Sequence, residues 1–377
     1  MTIGVPKEVK NNENRVGMVP DGVYEIVKMN HNVIIETGAG LGSDITDEDY
    51  VRAGAVIYTD KAKLFDDADI IVKVKEPIPS EYEYFHEGQT LYTYLHLAAD
   101  RQQAEFLKNK NITAFAYETV QTEDGSLPLL SPMSEVAGRM SIQIGAALLQ
   151  KNNGGKGMLL GGVPGVAPAE VVILGGGNVG INAAKMASWM GARVTVFDIS
   201  RKRLMYLDDI FGGKITTLMS SAYNIATAVK TADLLIGAVL IPGAKAPCLV
   251  TEEMVKSMPA GSVIVDVAID QGGSVETIDR VTTHENPSYE KHGVIHYSVA
   301  NMPGAVSKTS TYALTGMTIQ YLKRIVSTAI KDIIMNDKEL RLGLNTYQGE
   351  ITNKSVAEAL GYDYVDATLL FTASRKQ

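Results

Sequence analysis

The sequence predicts an α/β protein of two α/β domains, each organised on a largely parallel sheet. Three observations carry this. A length of 377 residues suits two domains, each able to bury its own core. Short β-branched apolar runs alternate with segments of helical period, the pattern of parallel strands joined by helices. The third is Val171-Val-Ile-Leu-Gly-Gly-Gly-Asn-Val-Gly180, which reads as a buried strand, a tight glycine turn and the start of a helix.

That stretch organises its half of the chain. Gly175, Gly177 and Gly180 form G-x-G-x-x-G, and an apolar rhythm continues through Val179, Ala183, Met186, Ala187 and Met190 to Gly191. The first glycine permits the turn, the second lets backbone approach a pyrophosphate, and the third lets helix and strand pack closely. The helix N-terminus then faces negative charge. The next strand, Arg193-Val-Thr-Val-Phe-Asp198, ends in an acid where a ribose 2′-hydroxyl would need one. Strand, motif, helix and acid together indicate dinucleotide binding. Further strands at 215–220, 234–240, 262–268 and 295–301 complete a doubly wound Rossmann sheet in the order 3-2-1-4-5-6. Their C-terminal ends carry Gly175, Asp198, Ser220, Val239, Leu240, Ala268, Ile269, Asp270, Ala300, Asn301 and Met302. Asp198, Ser220 and Leu240 are expected in the adenosine half, Asp270 and Asn301 in the nicotinamide half. Asp266, inside its strand, reads as a hydrogen-bonded buried acid. Asp270, ahead of Gly272-Gly273, has both a turn-forming and a catalytic reading.

Residues 1–130 read as the other domain. Strands are expected at Ile3-Gly-Val, Val33-Ile-Ile-Glu, Ala55-Val-Ile-Tyr, Ile70 to Lys75, Thr90 to His96 and Asn111 to Tyr117. Asp21 is positioned to cap a helix through Met29, Asp47 starts another, and Asp100 a third. Gly38-Ala-Gly-Leu-Gly42 resembles a second nucleotide motif, but Ser43 replaces its last glycine and no apolar helix follows, so it reads as a turn. Lys75 stands at a strand's C-terminal end, where open α/β sheets place their sites; a solvated edge lysine is the other reading. His96 shares a face with Tyr92 and Tyr94, and is either a core histidine or a site residue. Arg15, in a dense polar turn, is either a surface charge or a third member of the same cluster.

A helix capped by Ser134 and running to Gln150 bridges the domains, and the Gly- and Pro-rich stretch 152–168 follows as an irregular connection. After Pro303 one long amphipathic helix is expected over 313–335, with Ile319, Leu322, Val326, Ile330 and Ile333 on its stripe and Lys323, Arg324 and Lys331 solvated. A last helix runs from Lys354 to Leu360, and this tail is expected to rejoin the first domain. The boundaries are thus 1–130 plus 304–377 for a substrate domain, and 131–303 for a nucleotide domain.

Composition narrows the function classes. Net charge is −8, from 35 basic and 43 acidic residues, so there is no basic footprint for nucleic acid. Cys248 is the one cysteine and cannot form an intramolecular disulfide. No apolar run approaches the roughly 20 residues of a membrane span. The N-terminus shows no charged-then-apolar leader, so a cytoplasmic location is expected. No metal site is indicated.

Several stretches together resemble the L-alanine dehydrogenase family of NAD-dependent amino-acid oxidoreductases. They are Ile3-Gly-Val-Pro-Lys-Glu-Val-Lys-Asn-Asn-Glu-Asn-Arg15-Val, Val72-Lys-Val-Lys-Glu-Pro77, Tyr94-Leu-His-Leu-Ala-Ala-Asp100 and Ser131-Pro-Met-Ser-Glu-Val-Ala-Gly-Arg139. Val263-Ile-Val-Asp-Val-Ala-Ile-Asp-Gln-Gly-Gly273 and Val299-Ala-Asn-Met-Pro-Gly304 complete the set, and the resemblance covers nearly the whole chain. Ser307-Lys308 departs from the Pro-Arg pair of the family pattern, and the segment Val275–Arg280 is variable. The resemblance implies that Arg15 and Lys75 hold the substrate and that His96 and Asp270 transfer protons. It implies a flavodoxin-like substrate domain, NAD as cofactor, L-alanine, pyruvate and ammonia as small-molecule ligands, and a homo-oligomer, a hexamer. The expected cofactor contacts add Ser134, Asn178, Val179, Arg203, Val267, Arg280 and Val299 to those named above. Three rivals remain: the nucleotide-binding component of a transhydrogenase, a saccharopine-type dehydrogenase and a non-enzymatic nucleotide sensor. The complete Arg15, Lys75, His96 and Asp270 set and the lack of a membrane segment favour the dehydrogenase.

Overall fold

The computed structural model describes residues 1–239, 246–269 and 272–371. Leu240 and Asp270, both expected in the site, lie outside the described residues. The chain divides into two compact units, Met1–Met133 with Val306–Gln377, and Ser134–Ala305.

The first unit opens with β1 (Thr2–Val5), α1 (Pro20–Lys28), β2 (Asn32–Glu36), α2 (Asp47–Ala53), β3 (Val56–Tyr58) and α3 (Lys61–Asp67). It continues with β4 (Ile70–Val72), β5 (Thr90–Thr93), α4 (Arg101–Asn109) and β6 (Thr113–Ala116). All three residues of β4 are buried, as a parallel strand covered on both faces requires. Local polar residues start the helices. Thr46 and Asp49 form a capping box at α2, and Asp100 accepts the Gln103 N–H at α4. Asp21 does not cap α1: Pro20 already occupies the first helical turn, and the acid sits inside that turn.

Helix α5 (Ser131–Leu148) starts three residues before Ser134, which falls in its first turn. The second unit holds β7 (Glu170–Leu174), α6 (Asn178–Trp189), β8 (Arg193–Asp198), α7 (Arg201–Phe211), β9 (Thr216–Met219) and α8 (Ala222–Val229). β10 (Leu234–Gly237), α9 (Glu252–Lys256), β11 (Val263–Asp266), β12 (Ser288–Lys291) and β13 (Val294–Tyr297) follow. Its sheet runs β12-β13-β11-β10-β7-β8-β9. Without β12 this is the order 3-2-1-4-5-6, with every neighbour parallel. β12 is an antiparallel edge strand that sequence reading did not separate from its neighbour. A two-residue turn, His292-Gly293, joins it to β13, with φ of 55° and 74°.

The chain then returns to the first unit as α10 (Ser307–Ser327), α11 (Ile330–Asn336), α12 (Lys338–Gly343), β14 (Leu344–Tyr347), β15 (Glu350–Ile351) and α13 (Lys354–Leu360). The single long helix expected here is two. Thr328 is extended, at φ −129° and ψ 134°, and the run Val326-Ser327-Thr328 combines low helix propensity with a hydroxyl side chain that bonds backward. The apolar stripe continues into α11, which is why the period concealed the break. Arg324 and Lys323 are not merely solvated: Arg324 pairs with Asp337 and Glu339, and Lys323 with Glu25.

The first sheet runs β15-β14-β6-β5-β4-β1-β2-β3. Its six parallel strands run β3-β2-β1-β4-β5-β6, and without the three-residue edge strand β3 the remaining five take the 2-1-3-4-5 order of a flavodoxin-like sheet. The short β3 adds outside β2, and β14 closes the far side antiparallel to β6. In both sheets the C-termini of the parallel strands gather along one edge, and the expected site residues follow them in sequence.

Candidate active site

In the first unit the loops after β1, β4, β5 and β6 build one cluster. Arg15 lies after β1 and is 2% exposed. Its Nε and Nη2 donate to the two oxygens of Glu13 at 2.7 and 2.5 Å, its own N–H donates to the same carboxylate at 3.1 Å, and Nη1 points at Met133 Sδ, 3.2 Å away. Burial works against the guanidinium charge, but Glu13 holds its pKa above the ordinary value. The geometry fixes the plane of the fork, which bidentate carboxylate recognition needs.

Beyond β4 lie Lys73 and Lys75. Lys73 is fully buried and pairs with Glu8 at 3.2 Å and Glu81 at 2.9 Å. Glu8 also accepts the backbone N–H groups of Val74 at 2.6 Å and Lys75 at 3.3 Å. Tyr117 donates its hydroxyl to the Lys73 carbonyl, and Thr93 donates to that of Lys75. One buried ionic group thus pins the backbone that carries Lys75. The Lys75 ammonium itself has no ion-pair or hydrogen-bond partner among the described residues. Burial and the neighbouring Arg15 charge push its pKa below the ordinary lysine value, against the pull of Glu76 and Glu13. Glu76 pairs with Lys10, and its carboxyl is held low, against its burial, by Lys10, His96 and Lys75.

His96 follows β5 with φ 49° and ψ 33°, a left-handed conformation that costs a non-glycine residue roughly 1–2 kcal/mol. Its ring is exposed and lies 6.0 Å from that of Tyr94, 13° from parallel. Leu95 and Leu97 on either side are buried. Glu118, just past β6, accepts the Leu95 N–H at 3.2 Å on each oxygen and the His96 N–H at 2.6 Å. Charge-assisted hydrogen bonds contribute roughly 1.5–3 kcal/mol each, enough to offset the backbone strain. Arg15, Lys75 and His96 are therefore brought together, linked through Glu13, Glu76 and Tyr94. Sequence reading missed Glu8, Glu13, Glu76, Glu81 and Glu118. The polar run 7–15, between two apolar segments, was the one available sign, and it pointed to Glu8 and Glu13 only as charges.

In the second unit the glycine turn has the expected form. Gly175 has φ 99°, and a side chain there would meet the Ala238 carbonyl oxygen at 2.7 Å. A side chain on Gly180 would overlap the Gly175 carbonyl, so helix and strand close only over glycine. At Gly177 an added Cβ meets nothing within 4 Å among the described residues. Asn178, Val179 and Gly180 form the first turn of α6, whose N-cap Gly177 gives no side-chain cap. That open space at the N-terminus of α6 fits a pyrophosphate. Asp198 ends β8, and its carboxylate accepts the Gly176 N–H at 2.8 Å and the Ser200 N–H at 2.7 Å. Arg203 lies over the same glycine, since a Cβ on Gly176 would sit 3.1 Å from its Cγ, and Val239 borders Gly175. Ser220 joins Asp198 through its backbone N–H at 3.0 Å. Gly138 of α5 allows close approach to the Val179 carbonyl, setting that helix, one turn after Ser134, against the start of α6.

The remaining expected contacts follow the other strands of this sheet. Val267 donates to the Gly237 carbonyl, and Ala268 to Asp266 Oδ1 at 3.0 Å. Asp266 is fully buried, also accepts from Ser274, and is raised in pKa by burial, so it is the structural acid its strand position suggested. Ile269 is nearly buried. After β13, Val299 and Met302 are buried, Ala300 is half-buried, and Asn301 takes a left-handed φ of 58°. Arg280 is set apart from the glycine turn: it pairs with Asp279 and lies 4.3 Å over the Tyr289 ring of edge strand β12. Among the described residues no His, Cys, Asp and Glu group could hold a metal ion, and no helix is long and apolar enough to cross a membrane. Cys248 is exposed.

These features define a class: a two-unit α/β protein with a dinucleotide-type glycine turn in one unit and a cationic, histidine-bearing cluster in the other. Residues 4–137 match the family described as Alanine dehydrogenase/PNT, N-terminal domain, and residues 141–354 its C-terminal domain. The chain is 64% identical over 367 residues to the alanine dehydrogenase of Methanococcus maripaludis, covering 97% of this chain and 98% of that protein. It is 59% identical to that of Bacillus subtilis, covering 97% of each. A solved L-alanine dehydrogenase superposes with a TM-score of 0.93 at 50% identity, over 96% of this chain and 99% of that one. A transhydrogenase from Sinorhizobium meliloti superposes at 0.81 but at 25% identity, over 93% and 100%. The chain belongs to the alanine dehydrogenase/PNT family. Membership and the glycine-turn sheet imply a nicotinamide nucleotide and small-molecule substrates.

Proposed function

We propose that this chain is an NAD-dependent L-alanine dehydrogenase. It deaminates L-alanine oxidatively, with NAD and water, to pyruvate, ammonia, NADH and a proton, and it runs the reverse reductive amination. The observation that carries the reading is the cluster of Arg15, Lys75 and His96 at the strand ends of one unit, in a chain that matches alanine dehydrogenases along nearly its whole length. In this reading 1–130 plus 304–377 serve the substrate, and 131–303 the nucleotide.

Each residue has a chemical task. Arg15, held flat by Glu13, binds the substrate carboxylate. Lys75 supplies a second positive charge for that carboxylate, or polarises the carbonyl oxygen of pyruvate. Hydride leaves Cα only when the nitrogen lone pair is available, so the substrate ammonium must first lose a proton. The imine that results is attacked by water, which His96 deprotonates, and protons move again as ammonia departs. Asp270, outside the described residues, is assigned to the amine side as a proton-transfer or positioning group. The nicotinamide ring supplies the hydride acceptor, and the chain supplies orientation and charge. Asp198 beside Gly176 favours a ribose hydroxyl and repels a 2′-phosphate, which supports NAD over NADP. A cytoplasmic homo-oligomer, a hexamer, completes the reading.

The test is initial-rate kinetics with purified protein, NAD and L-alanine, with pyruvate and ammonia quantified as products, beside NADP and a panel of small amino acids. NAD-dependent turnover of alanine supports the proposal. Nucleotide-to-nucleotide hydride transfer without any amino acid substrate would favour the transhydrogenase-like reading, and tighter binding of NADPH than NADH would overturn the assignment to Asp198.

A further inference from the structure

We propose that Glu118 is a positioning residue for His96: by accepting the successive N–H groups of Leu95 and His96, its carboxylate holds the histidine in the left-handed conformation from which its ring serves the reaction. The inference rests on the reading of His96 as the proton-transfer group.

The placement follows from the sheet. β5 and β6 are parallel neighbours, with Thr93 opposite Ala116, so the chain leaves both strands at the same edge. Three residues past Thr93 is His96, and two past Ala116 is Glu118. Two successive N–H groups aimed the same way make a small anion cradle. Glu118 fills it with three contacts, two of 3.2 Å from Leu95 and one of 2.6 Å from His96. Among the described residues Glu118 has no ion pair and no other hydrogen bond, so the cradle accounts for all of its polar contacts.

The consequence falls on the ring of His96. Leu95 and Leu97 are 0% and 1% exposed and anchor the chain on both sides. What remains adjustable is the rotation of the two peptide planes that meet at His96. Relaxing its φ of 49° to a negative value would swing the Cα–Cβ bond and carry the imidazole away from its place beside Tyr94. Nothing else among the described hydrogen bonds holds the His96 N–H. Glu118 touches no reacting atom in this account; it acts through the backbone of the histidine.

The experiment compares wild type, Glu118→Ala, Glu118→Gln and His96→Ala with the double variant Glu118→Ala/His96→Ala, in the full-length protein. It measures kcat and KM for L-alanine, NADH affinity by fluorescence, and thermal melting. Misplacing a catalytic group by an ångström costs ~10²-fold in rate, so Glu118→Ala is expected to lower kcat by about that factor, with NADH affinity and alanine KM within about twofold. Glu118→Gln keeps an oxygen acceptor and is expected to fall in between, and it carries the comparison if the alanine variant does not fold. In the His96→Ala background the Glu118 substitution is expected to change the residual rate by less than about twofold, because a residue acting through another is non-additive with it. An unchanged kcat, or an equal loss with and without His96, would overturn the inference while leaving His96 in its role. If His96→Ala itself kept the wild-type rate, both the inference and the reading beneath it would fall.

Discussion

Replacing Lys73 by methionine tests the buried ionic group under the cluster. Lys73, Glu8 and Glu81 are 0%, 8% and 1% exposed, and the ammonium lies 3.2 and 2.9 Å from the two carboxylates. Methionine fills much the same volume but leaves two buried carboxylates facing each other. Glu8 keeps its backbone donors at Val74 and Lys75, and Glu81 keeps Ile78, so hydration is partly replaced but charge is not. Removing one partner of a buried ionic group costs about 3–5 kcal/mol. For a unit of this size that is roughly 6–20 °C in Tm, at about 2–4 °C per kcal/mol. The pH dependence gives the sign. Burial already raises the Glu8 pKa above its ordinary 4.5, and losing Lys73 raises it further. A carboxyl with a raised folded pKa binds more protons folded than unfolded, so its destabilisation is present above the folded pKa and fades as pH falls toward 4.5. The Tm deficit of Lys73→Met is therefore expected to narrow between neutral pH and pH 5, and Glu8→Gln in the same background is expected to recover part of it. The assay is differential scanning calorimetry across that range. A deficit below about 1 kcal/mol, or one that widens on acidification, would refute the reasoning.

Three further outcomes are expected. Gly177→Ala should leave Tm nearly unchanged, because its Cβ meets nothing among the described residues, yet weaken NADH at least about tenfold in fluorescence titration by crowding the backbone approach to phosphate. Gly180→Ala should lower both NADH affinity and Tm, the latter by the roughly 1–3 kcal/mol of an overpacked site, because its Cβ overlaps the Gly175 carbonyl. Lys75 must be charged to hold a carboxylate, and burial with Arg15 sets its pKa below 10.5, so product inhibition by pyruvate should weaken at alkaline pH before a free lysine would titrate. Lys75→Arg, charged throughout, should flatten that limb, and an unchanged limb would argue against the assignment.

Much of the fold was legible because local rules agreed with the global one. The strands of the second sheet announced themselves as β-branched runs, and Gly175 and Gly180 are required by a positive φ and a close approach that sequence alone could name. What escaped was short or depended on distant partners. β12, β14 and β15 are two to four residues long, and their turns, His292-Gly293 and Gln348-Gly349, place a non-glycine at positive φ where Asn or Asp is the usual signal. The break at Thr328 was masked by an apolar stripe that runs on across it. Arg15, Lys75 and His96 were nameable one by one, but a sequence does not show that a guanidinium is gripped by Glu13 or a histidine backbone by Glu118. The five carboxylates that support the cluster are ordinary acids in sequence. Only the meeting of strand ends from 2–5, 70–72, 90–93 and 113–116 gives them their work.

The most direct test of the central claim is NADH formation from NAD and L-alanine at alkaline pH by the wild type and by His96→Ala, with NADH affinity measured for both. The account expects turnover in the wild type, a loss of about 10²–10⁴-fold in the variant, the range of a general acid–base group, and unchanged NADH binding. Wild-type turnover that survives in His96→Ala, or no turnover of alanine while NADH still binds, would contradict it.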